Sequence, residues 1–483
     1  MIDAQQAALV GLILLPLASG AAAFLLGPGR GAGLCIASQA AALFFALQLA
    51  DSVLAGDIAR HRIGGWGAPL GIDLTADGLA AAMLLLTQAV ALPLALYARA
   101  YFRPDSAEVR YFWPLFGLLL AGLNALFVST DLFNLYVTLE LVGLAAVGLV
   151  GIGGGALQIA AALRYLFATL LGSGAYLLGV ALIYGAYGSV AVASLTPLVA
   201  AEAPTLVGLA AGLMLLGLLL KTALFPCHYW LPPAHGGAAA PVSALLSALV
   251  VKASFYLILR LWLGPLAPLT ASHPLLPWLP ALLGAGAILW GSWQAIRAPR
   301  LKTMIAYSTV AQLGYLFLIF PLLGTPGGRA AGILHAVAHG LAKAAMFTAA
   351  GVLIKATGQD RIAALAGAAQ QLPLTLFAFG LAGVTLMGLP PSAGFLAKWQ
   401  LLDAALGQGY WGIVLITLSG GLLAAVYVFR VLRQAFLLTS SKTTVAPVPR
   451  TLEWTAFGLA GASLLLGLRG VELVELLAVW GWE

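Results

Sequence analysis

The sequence predicts an all-α polytopic membrane protein with about fourteen transmembrane helices. Of its 483 residues, 62% are hydrophobic and only 8% are charged, whereas about a quarter of a soluble domain is charged. Apolar runs of about 20 residues, the length that crosses a bilayer, recur along the whole chain. The 57 glycines suit a packed bundle, because small residues let membrane helices approach closely.

Apolar runs between charged or Pro/Gly-rich breaks define the expected spans. Their joints are short except near 51–78 and 187–206. No segment has the pattern of a soluble domain or of a nucleotide-binding βαβ unit. The predicted spans are 7–27, 32–50, 79–99, 111–129, 131–152, 161–186, 207–231, 240–264, 275–297, 301–323, 329–354, 373–398, 411–436 and 452–470.

The N-terminal stretch and the cysteines exclude several classes of protein. No basic region followed by a small-residue cleavage site precedes the first apolar run, so we expect a retained span there. Cys35 and Cys227 lie in apolar segments without CxxC or His/Cys ligand spacing. We therefore expect neither a disulfide framework nor a zinc site, and no cofactor.

The net charge of +7 is distributed over the joints in a pattern that predicts orientation. No basic run is present, so nucleic-acid binding is not indicated. Joints after odd-numbered spans hold fourteen basic residues: Arg30, Arg99, Arg103, Arg110, Arg164, Arg297, Arg300, Lys302, Lys355, Arg361, Arg430, Arg433, Lys442 and Arg450. Joints after even-numbered spans hold Arg60, Arg62, Arg260 and Arg329. By the positive-inside rule the odd joints are cytoplasmic, and both termini lie on the outer side of what we expect to be a prokaryotic inner membrane.

Two predicted spans are interrupted at corresponding places. The seventh contains KTALFPCHYWLPPAHGG and the twelfth contains LMGLPPSAGFLAKW. Proline removes a backbone donor and clashes with the preceding turn, so both helices should be kinked or unwound. Interrupted spans in matching halves point to a transporter built from two inverted repeats.

Seven ionisable residues remain inside apolar sequence: Glu140, Lys221, Lys252, His335, His339, Lys343 and Lys398. A charge at the bilayer centre costs about 2.5–3.5 kcal/mol on insertion scales, and such residues commonly mark an ion pathway. Glu140 is the only carboxylate in the central spans, so we expect it to pair with Lys221. A lysine that gains and loses a carboxylate partner can take up and release a proton.

Each of these residues also has a purely structural interpretation. The Glu140–Lys221 pair could only lock two helices together. His335, His339 and Lys343 recur every four residues and so share one helix face, where a membrane histidine often makes only an interhelical hydrogen bond.

Three further residues lie at the ends or breaks of spans. Lys302 at the start of the tenth span has a snorkelling orientation as its alternative role. His228 and His235 flank the WLPP break and could line an aqueous vestibule or merely cap it. No carboxylate or cysteine lies near the histidine pair at 335 and 339 to complete a metal site.

Several sequence blocks resemble the antiporter-like subunit family shared by complex I, membrane hydrogenases and Mrp-type cation/proton antiporters. The resemblance runs from about residue 70 to 436. Its blocks are GIDLTADGLAAAM at 71–83, LYVTLELVGLAAVGLVG at 135–151, KTALFPCHYWLPPAHGGAAAPVSALLSALVVK at 221–252, LKTMIAYSTVAQLGY at 301–315, HAVAHGLAKAAMF at 335–347 and GLPPSAGFLAKW at 388–399.

The resemblance implies fourteen helices with two inverted five-helix repeats, broken at helices 7 and 12. The expected divisions are 1–110 for helices 1–3, 111–270 for the first repeat, 271–440 for the second, and 441–483 for helix 14 and the tail.

The resemblance also assigns site residues. Glu140 and Lys221 match the acid–lysine pair of the first half-channel. Lys252 or Lys302, then His335, His339 and Lys343, match a central hydrophilic axis, and Lys398 matches the terminal ionisable residue.

The predicted function is that of a proton-translocating subunit of a multisubunit membrane complex, foremost a Mrp-type monovalent cation/proton antiporter. Its partners would be other membrane subunits, protons, Na⁺ or K⁺, and the lipid bilayer. The chain has no long extension after about residue 470, which fits the smaller Mrp antiporter subunit, whereas its 230–252 block resembles redox-complex members. The alternative is therefore a proton-pumping membrane-arm subunit of a complex I or hydrogenase-type redox complex. In that case the chain would belong to a redox-driven translocase without a redox or hydrolytic centre of its own.

Two other functions are less favoured by the sequence. The chain could supply the proton flow that energises uptake of another solute, or it could be a scaffold whose buried charges only fix helix register.

Overall fold

The computed structural model describes residues 4–200, 203–437 and 446–481, and these form a helical bundle. Thirteen helical segments among them are long and apolar enough to cross a membrane. A fourteenth, Pro373–Met387, is shorter because the twelfth span breaks after it. The predicted fold class is confirmed.

The first half of the described chain contains eight spans and a hairpin. Its elements are α1 (Ala4–Leu26), α2 (Pro28–Leu54), β1 (Ala59–Arg62), β2 (Asp73–Ala76), α3 (Gly78–Tyr101), α4 (Ala107–Val128), α5 (Leu132–Gly151), α6 (Ala156–Tyr187), α7 (Val192–Leu195), α8 (Thr205–Thr222), α9 (Leu231–Gly237), α10 (Ala240–Leu245) and α11 (Val251–Leu263). The seventh span consists of α8 and α9. A π-helical turn, Leu246–Val250, joins α10 to α11 in the eighth.

The second half contains six spans. Its elements are α12 (Ala267–Ala271), α13 (Trp278–Arg297), α14 (Leu301–Leu318), α15 (Pro326–Thr357), α16 (Ala368–Gln371), α17 (Pro373–Met387), α18 (Ala393–Gly407), α19 (Trp411–Phe436), α20 (Arg450–Leu465) and α21 (Gly470–Leu477). The twelfth span consists of α17 and α18. Lys442, one of the predicted cytoplasmic basic residues, lies outside the described residues.

Three spans form the centre of the bundle. The most apolar windows of the eighth, tenth and eleventh spans are 100%, 89% and 94% buried within the protein, against 33% for the first and 28% for the fourteenth. Charges on the central spans are therefore shielded from lipid. This arrangement encloses five of the predicted pathway residues: Lys252, Lys302, His335, His339 and Lys343.

A junction of extended backbone occurs twice, on opposite faces of the bundle. Before α5 and after α6, Leu132 N–H donates to Val190 O at 2.8 Å and Val192 N–H to Thr130 O at 3.0 Å. Before α14 and after α15, Leu301 N–H donates to Asp360 O at 2.7 Å and Ile362 N–H to Pro299 O at 3.0 Å. Five spans lie between the start of the first junction and the start of the second. Since each span crosses the bundle once, an odd number of spans places the second junction on the opposite face, and the repeated unit is therefore inverted.

The two helix breaks also match each other. At the end of α8, Ala223 is left-handed (φ 57°) and Leu224 N–H donates to Leu219 O at 3.2 Å. At the end of α17, Gly388 is left-handed (φ 81°) and Leu389 N–H donates to Val384 O at 3.1 Å. Both ends have the bond that closes a Schellman cap. The two breaks predicted from proline and glycine thus have the same backbone conformation and the same capping hydrogen bond. The domain boundaries at 110, 270 and 440 stay a prediction.

A β-hairpin and a short helix, neither of them predicted, lie at one end of the bundle. Strands β1 and β2 pair antiparallel, with Ala59 opposite Ala76, within the joint 51–78. The short helix α21 returns across the end of the bundle and brings Gly481 to Asp77. We call the surface formed by residues 59–77 and 466–481 the C-terminal face, and the surface that carries Arg103, Arg164 and Arg300 the opposite face.

Candidate ion pathway

The predicted acid–lysine pair is formed across three helices. Lys221 in the last turn of α8 lies 3.2 Å from Glu140 on α5. Its Nζ also donates to Thr169 Oγ1 on α6 at 2.7 Å, and Ser173 Oγ donates to Glu140. The carboxylate and the ammonium are thus paired and further hydrogen-bonded, the condition under which buried charges are tolerated.

Small residues make room for the lysine side chain. A Cβ at Gly172 would lie 3.0 Å from Lys221 Cγ, and a Cβ at Gly143 would lie 2.7 Å from Thr169 Oγ1. Beside the ammonium is a cavity of about 20 Å³, lined by Tyr165 and Ser254 among others. Such a volume holds one water molecule. The cavity therefore provides space for one water molecule between Lys221 and the eighth span.

Lys252 lies in the eighth span directly after the π-helical turn. Its ammonium donates to Ser247 O, and Ser247 Oγ lies 2.9 Å from Thr309 Oγ1 on α14. A π turn leaves carbonyl groups out of the regular ladder and is common at functional sites. Here it supplies the oxygen that holds a fully buried lysine.

Lys302 turns inward, so the snorkelling role considered for it is wrong. Its side chain is only 6% exposed and its ammonium donates to Ala238 O at the end of α9. Asp360, in the joint after α15, accepts the Lys302 backbone N–H at 3.1 Å. Burial raises the pKa of the Asp360 carboxyl, although that N–H and the nearby charges of Lys302 and Arg300 act to lower it.

Lys343 and the two histidines share one face of α15, as predicted. Lys343 Nζ donates to Ile305 O at 3.0 Å and to Ser308 Oγ, both on α14. His335 Nε2 lies 3.0 Å from Gln312 O, and its ring lies 5.9 Å from the nearly parallel ring of His339.

Water is required between several of these side chains. Among the described residues, both ring nitrogens of His339 and of His235 are buried without a protein partner. Buried polar atoms are almost always satisfied by protein or by ordered water. The two imidazoles therefore indicate hydrated space between the lysines.

The series of buried polar groups continues from the histidines to Lys398 on α18. The ring of Tyr315 lies between them, 5.1 Å from the His335 ring and 4.3 Å from Lys398 Nζ. The ammonium donates to Leu386 O at 2.7 Å and to Met387 O at 3.3 Å, the carbonyls freed where α17 breaks. The second break thus holds the terminal lysine directly, as cations are favoured at a helix C-terminus.

Gly388 keeps the space that this lysine occupies. A Cβ there would lie 2.6 Å from Lys398 Cδ, and φ is 81°. Gly388→Ala should lower the free energy of unfolding by about 1–2 kcal/mol from the left-handed conformation alone and also displace Lys398, reducing transport. Ala223→Gly at the matching break is the control. We expect its free energy of unfolding to stay within about 1 kcal/mol of wild type and its transport rate within about twofold. Thermal unfolding and transport assays measure both, and unchanged transport in Gly388→Ala would contradict this role.

The two histidines flanking the first break have different environments. His235 is fully buried, with its ring 6.0 Å from that of Phe347. His228 is partly exposed and stacks on Phe225 at 5.6 Å. They do not line a common cavity among those found in the described chain, and their role at a vestibule stays a prediction.

Sequence reasoning missed the most enclosed ion pair, Asp77–Arg260. Arg260 was assigned to a joint, but it lies inside α11 with no exposed surface. Its Nη1 donates to Asp77 Oδ2 at 2.6 Å. Asp77 is the N-cap of α3 and accepts Ala80 N–H at 3.0 Å. The available signal was the run LILRLWL, in which one arginine interrupts apolar sequence.

No group of three His, Cys, Asp or Glu residues converges in the described parts of the chain. The arrangement instead offers alternating ammonium groups, imidazoles, hydroxyls and carbonyls. Those groups suit proton transfer through water.

Comparison with known proteins identifies the family. Residues 129–424 match the family model described as "NADH:quinone oxidoreductase/Mrp antiporter, TM". The NADH-quinone oxidoreductase subunit N of Desulforudis audaxviator is 37% identical over 401 residues, covering 81% of this chain and 78% of that protein. A subunit of the Na(+)/H(+) antiporter of Bacillus subtilis is 30% identical over 434 residues, covering 88% and 86%. A chain in the structure of the Mrp complex from Dietzia sp. DQ12-45-1b superposes with a TM-score of 0.89 at 27% identity, covering 98% of this chain and 96% of that one. With its inverted junctions, paired breaks and buried lysines, this chain belongs to the NADH:quinone oxidoreductase/Mrp antiporter transmembrane family.

Proposed function

We propose that the chain is a proton-translocating, antiporter-like subunit of a multisubunit membrane complex, foremost a Mrp-type monovalent cation/proton antiporter. The observation that carries this proposal is the buried series of ionisable groups from Glu140–Lys221 to Lys398, which runs through the three most enclosed spans. Charges are retained there only where they have a function or a partner.

The positions of the groups support the following proposed route. Protons enter at the Glu140–Lys221 pair, pass Lys252 and the Lys343–histidine face, and leave near Lys398. Lys221, Lys302, Lys343 and Lys398 are each held by oxygens on another helix, and Lys252 is held by the π-helical turn of its own span. Small shifts of these segments change the partner of each lysine and its affinity for a proton. Water links the groups that do not touch.

The partners are other membrane subunits. The described surface exposes many large apolar side chains, among them Phe24, Phe167 and Leu422, which suit lipid or a neighbouring subunit equally. The relatives include components of Na(+)/H(+) or K(+)/H(+) antiporters from three bacteria, and the similar solved chains come from multisubunit assemblies.

The orientation proposed is that of a prokaryotic inner-membrane protein with both termini outside. The opposite face carries the arginine-rich joints with Arg103, Arg164 and Arg300, which the positive-inside rule places in the cytoplasm. A reporter enzyme that is active only outside the cytoplasm, fused after residue 481, should be active. Activity of the same reporter inserted at residue 104 would contradict the orientation.

A second candidate is a membrane-arm subunit of a redox-driven proton pump. The observation that favours it is the 37% identity to a NADH-quinone oxidoreductase subunit N. Such a subunit would use the same buried series, with electron transfer in partner chains as the driving reaction.

The composition of the native complex distinguishes the two candidates. We expect purification in mild detergent to yield small hydrophobic subunits and further antiporter-like chains. In liposomes that complex should build a pH difference when a Na⁺ or K⁺ gradient is imposed. Co-purifying iron–sulfur, flavin or nickel subunits would instead establish the redox-driven pump.

A further inference from the structure

Helix α11 carries three buried polar side chains at four-residue spacing: Lys252, Tyr256 and Arg260. This spacing places them on one helix face. Lys252 belongs to the central series, and Arg260 lies two turns nearer the C-terminal face. The Lys252 ammonium bonds to Ser247 O, away from Arg260. The column of polar groups therefore extends from the central series towards that face.

The guanidinium of Arg260 is fixed on several sides. It makes two hydrogen bonds to the Asp77 carboxylate, and neither side chain has exposed surface. It lies 4.9 Å from the ring centroid of Tyr256 and 4.8 Å from that of Trp480. The Tyr256 hydroxyl in turn donates to Phe127 O. The positive end of this ion pair therefore lies against Tyr256, which is one helical turn from Lys252.

Polar space open to the C-terminal face begins immediately beyond the pair. Gly481 N–H donates to Asp77 Oδ2 at 2.9 Å. Gly481 also lines a cleft of about 100 Å³ together with Arg60, His61, Asp73 and others. A second cavity of about 300 Å³ adjoins Trp480. The Asp77–Arg260 pair and the chain at 480–481 thus separate the polar side chains of α11 from these two cavities.

We propose that Arg260, held by Asp77, is an electrostatic plug that prevents protons from leaving the pathway at Lys252 towards the C-terminal face. This inference rests on the proposed proton-translocating function. A fixed cation in a narrow route excludes protons and cations. Eight residues of helix place it about 12 Å along the axis from Lys252. A lone unit charge at that distance and an effective dielectric constant of about 20 changes a rate about tenfold, and the Asp77 carboxylate cancels part of that effect. Protons at Lys252 then continue to Lys398.

The test is the passive proton leak of liposomes that contain the purified complex, measured after a pH jump without any driving gradient. The double variant Asp77→Asn/Arg260→Gln keeps the shape of the pair but removes both charges, so no lone buried charge destabilises the fold. We expect its leak to rise by about twofold to tenfold, tenfold being the limit for a lone unit charge. Arg260→Lys retains the positive charge and should keep the leak near that of wild type, although its thermal stability falls. A plain structural role predicts loss of stability in both variants with no change in leak.

Arg329→Gln is the matched control, because Arg329 lines the 300 Å³ cavity on the same face but lies outside the column. Its leak should equal that of wild type. If the double variant does not assemble, Trp480→Leu opens one side of the guanidinium and should give a smaller rise. A wild-type leak in the assembled double variant, or in Trp480→Leu when it is the only one that assembles, overturns the plug. A wild-type complex that moves no protons at all instead overturns the proposed function.

Discussion

Replacing Lys221 with alanine is expected to abolish coupled proton transport. The substitution removes the ammonium that Glu140 and Thr169 hold at the end of α8, and no other cation lies on that helix. A proton that reaches Glu140 would then have no neighbouring amine to receive it. We expect the initial rate of transport by the purified complex in liposomes to fall at least about tenfold, the effect of about 1.4 kcal/mol on a barrier.

A double variant separates this role from a purely structural one. Lys221→Ala alone leaves Glu140 as an unpaired, partly buried charge, which also destabilises the fold. Lys221→Met with Glu140→Gln has no lone charge and should recover stability. If the pair only locks α5 to α8, this double variant regains transport as well. Our interpretation predicts a stable complex that still does not transport protons.

Replacing Asp77 with alanine is expected to cause the largest loss of stability. The change leaves the Arg260 guanidinium fully buried without its carboxylate, which costs about 3–5 kcal/mol. It also removes the N-cap of α3, worth about 1 kcal/mol, and the acceptor of Gly481 N–H. Thermal unfolding of the complex in detergent measures the effect.

Asp57→Ala is the control for this prediction. Asp57 is exposed near the same face, so its replacement should change the unfolding free energy by no more than about 0.5 kcal/mol. Equal melting temperatures for the two variants would show that the Asp77–Arg260 pair contributes little.

Some helix bounds were predictable from the sequence, because they follow from the length of an apolar run or from the position of a proline. The predicted thirteenth span, 411–436, coincides with α19, and the breaks at Phe225–Pro226 and Pro390–Pro391 follow from proline chemistry. The contact of Glu140 with Lys221 was also predictable, because Glu140 is the only carboxylate in the predicted central spans.

Other features depend on tertiary contacts that no local pattern encodes. Lys302 was given a snorkelling alternative because it starts a span, yet Ala238 O, from a distant part of the chain, draws its ammonium inward. Arg260 was counted with the joint after the eighth span, although the predicted span 240–264 contains it, and its partner Asp77 lies 183 residues away. The hairpin at 59–76 and helix α21 lie at the end of the bundle, where Gly481 contacts Asp77 from 404 residues earlier in the chain.

The most direct test of the account is proton flux through liposomes containing the complex with Lys343→Met. Lys343 lies in the middle of the buried series and is held by two α14 oxygens. Thr348→Val is the control, because the Thr348 hydroxyl bonds only within its own helix. The account predicts that Lys343→Met assembles normally but loses cation-coupled proton flux, whereas Thr348→Val retains it. Wild-type flux through assembled Lys343→Met complexes would contradict the claim that these buried charges carry protons.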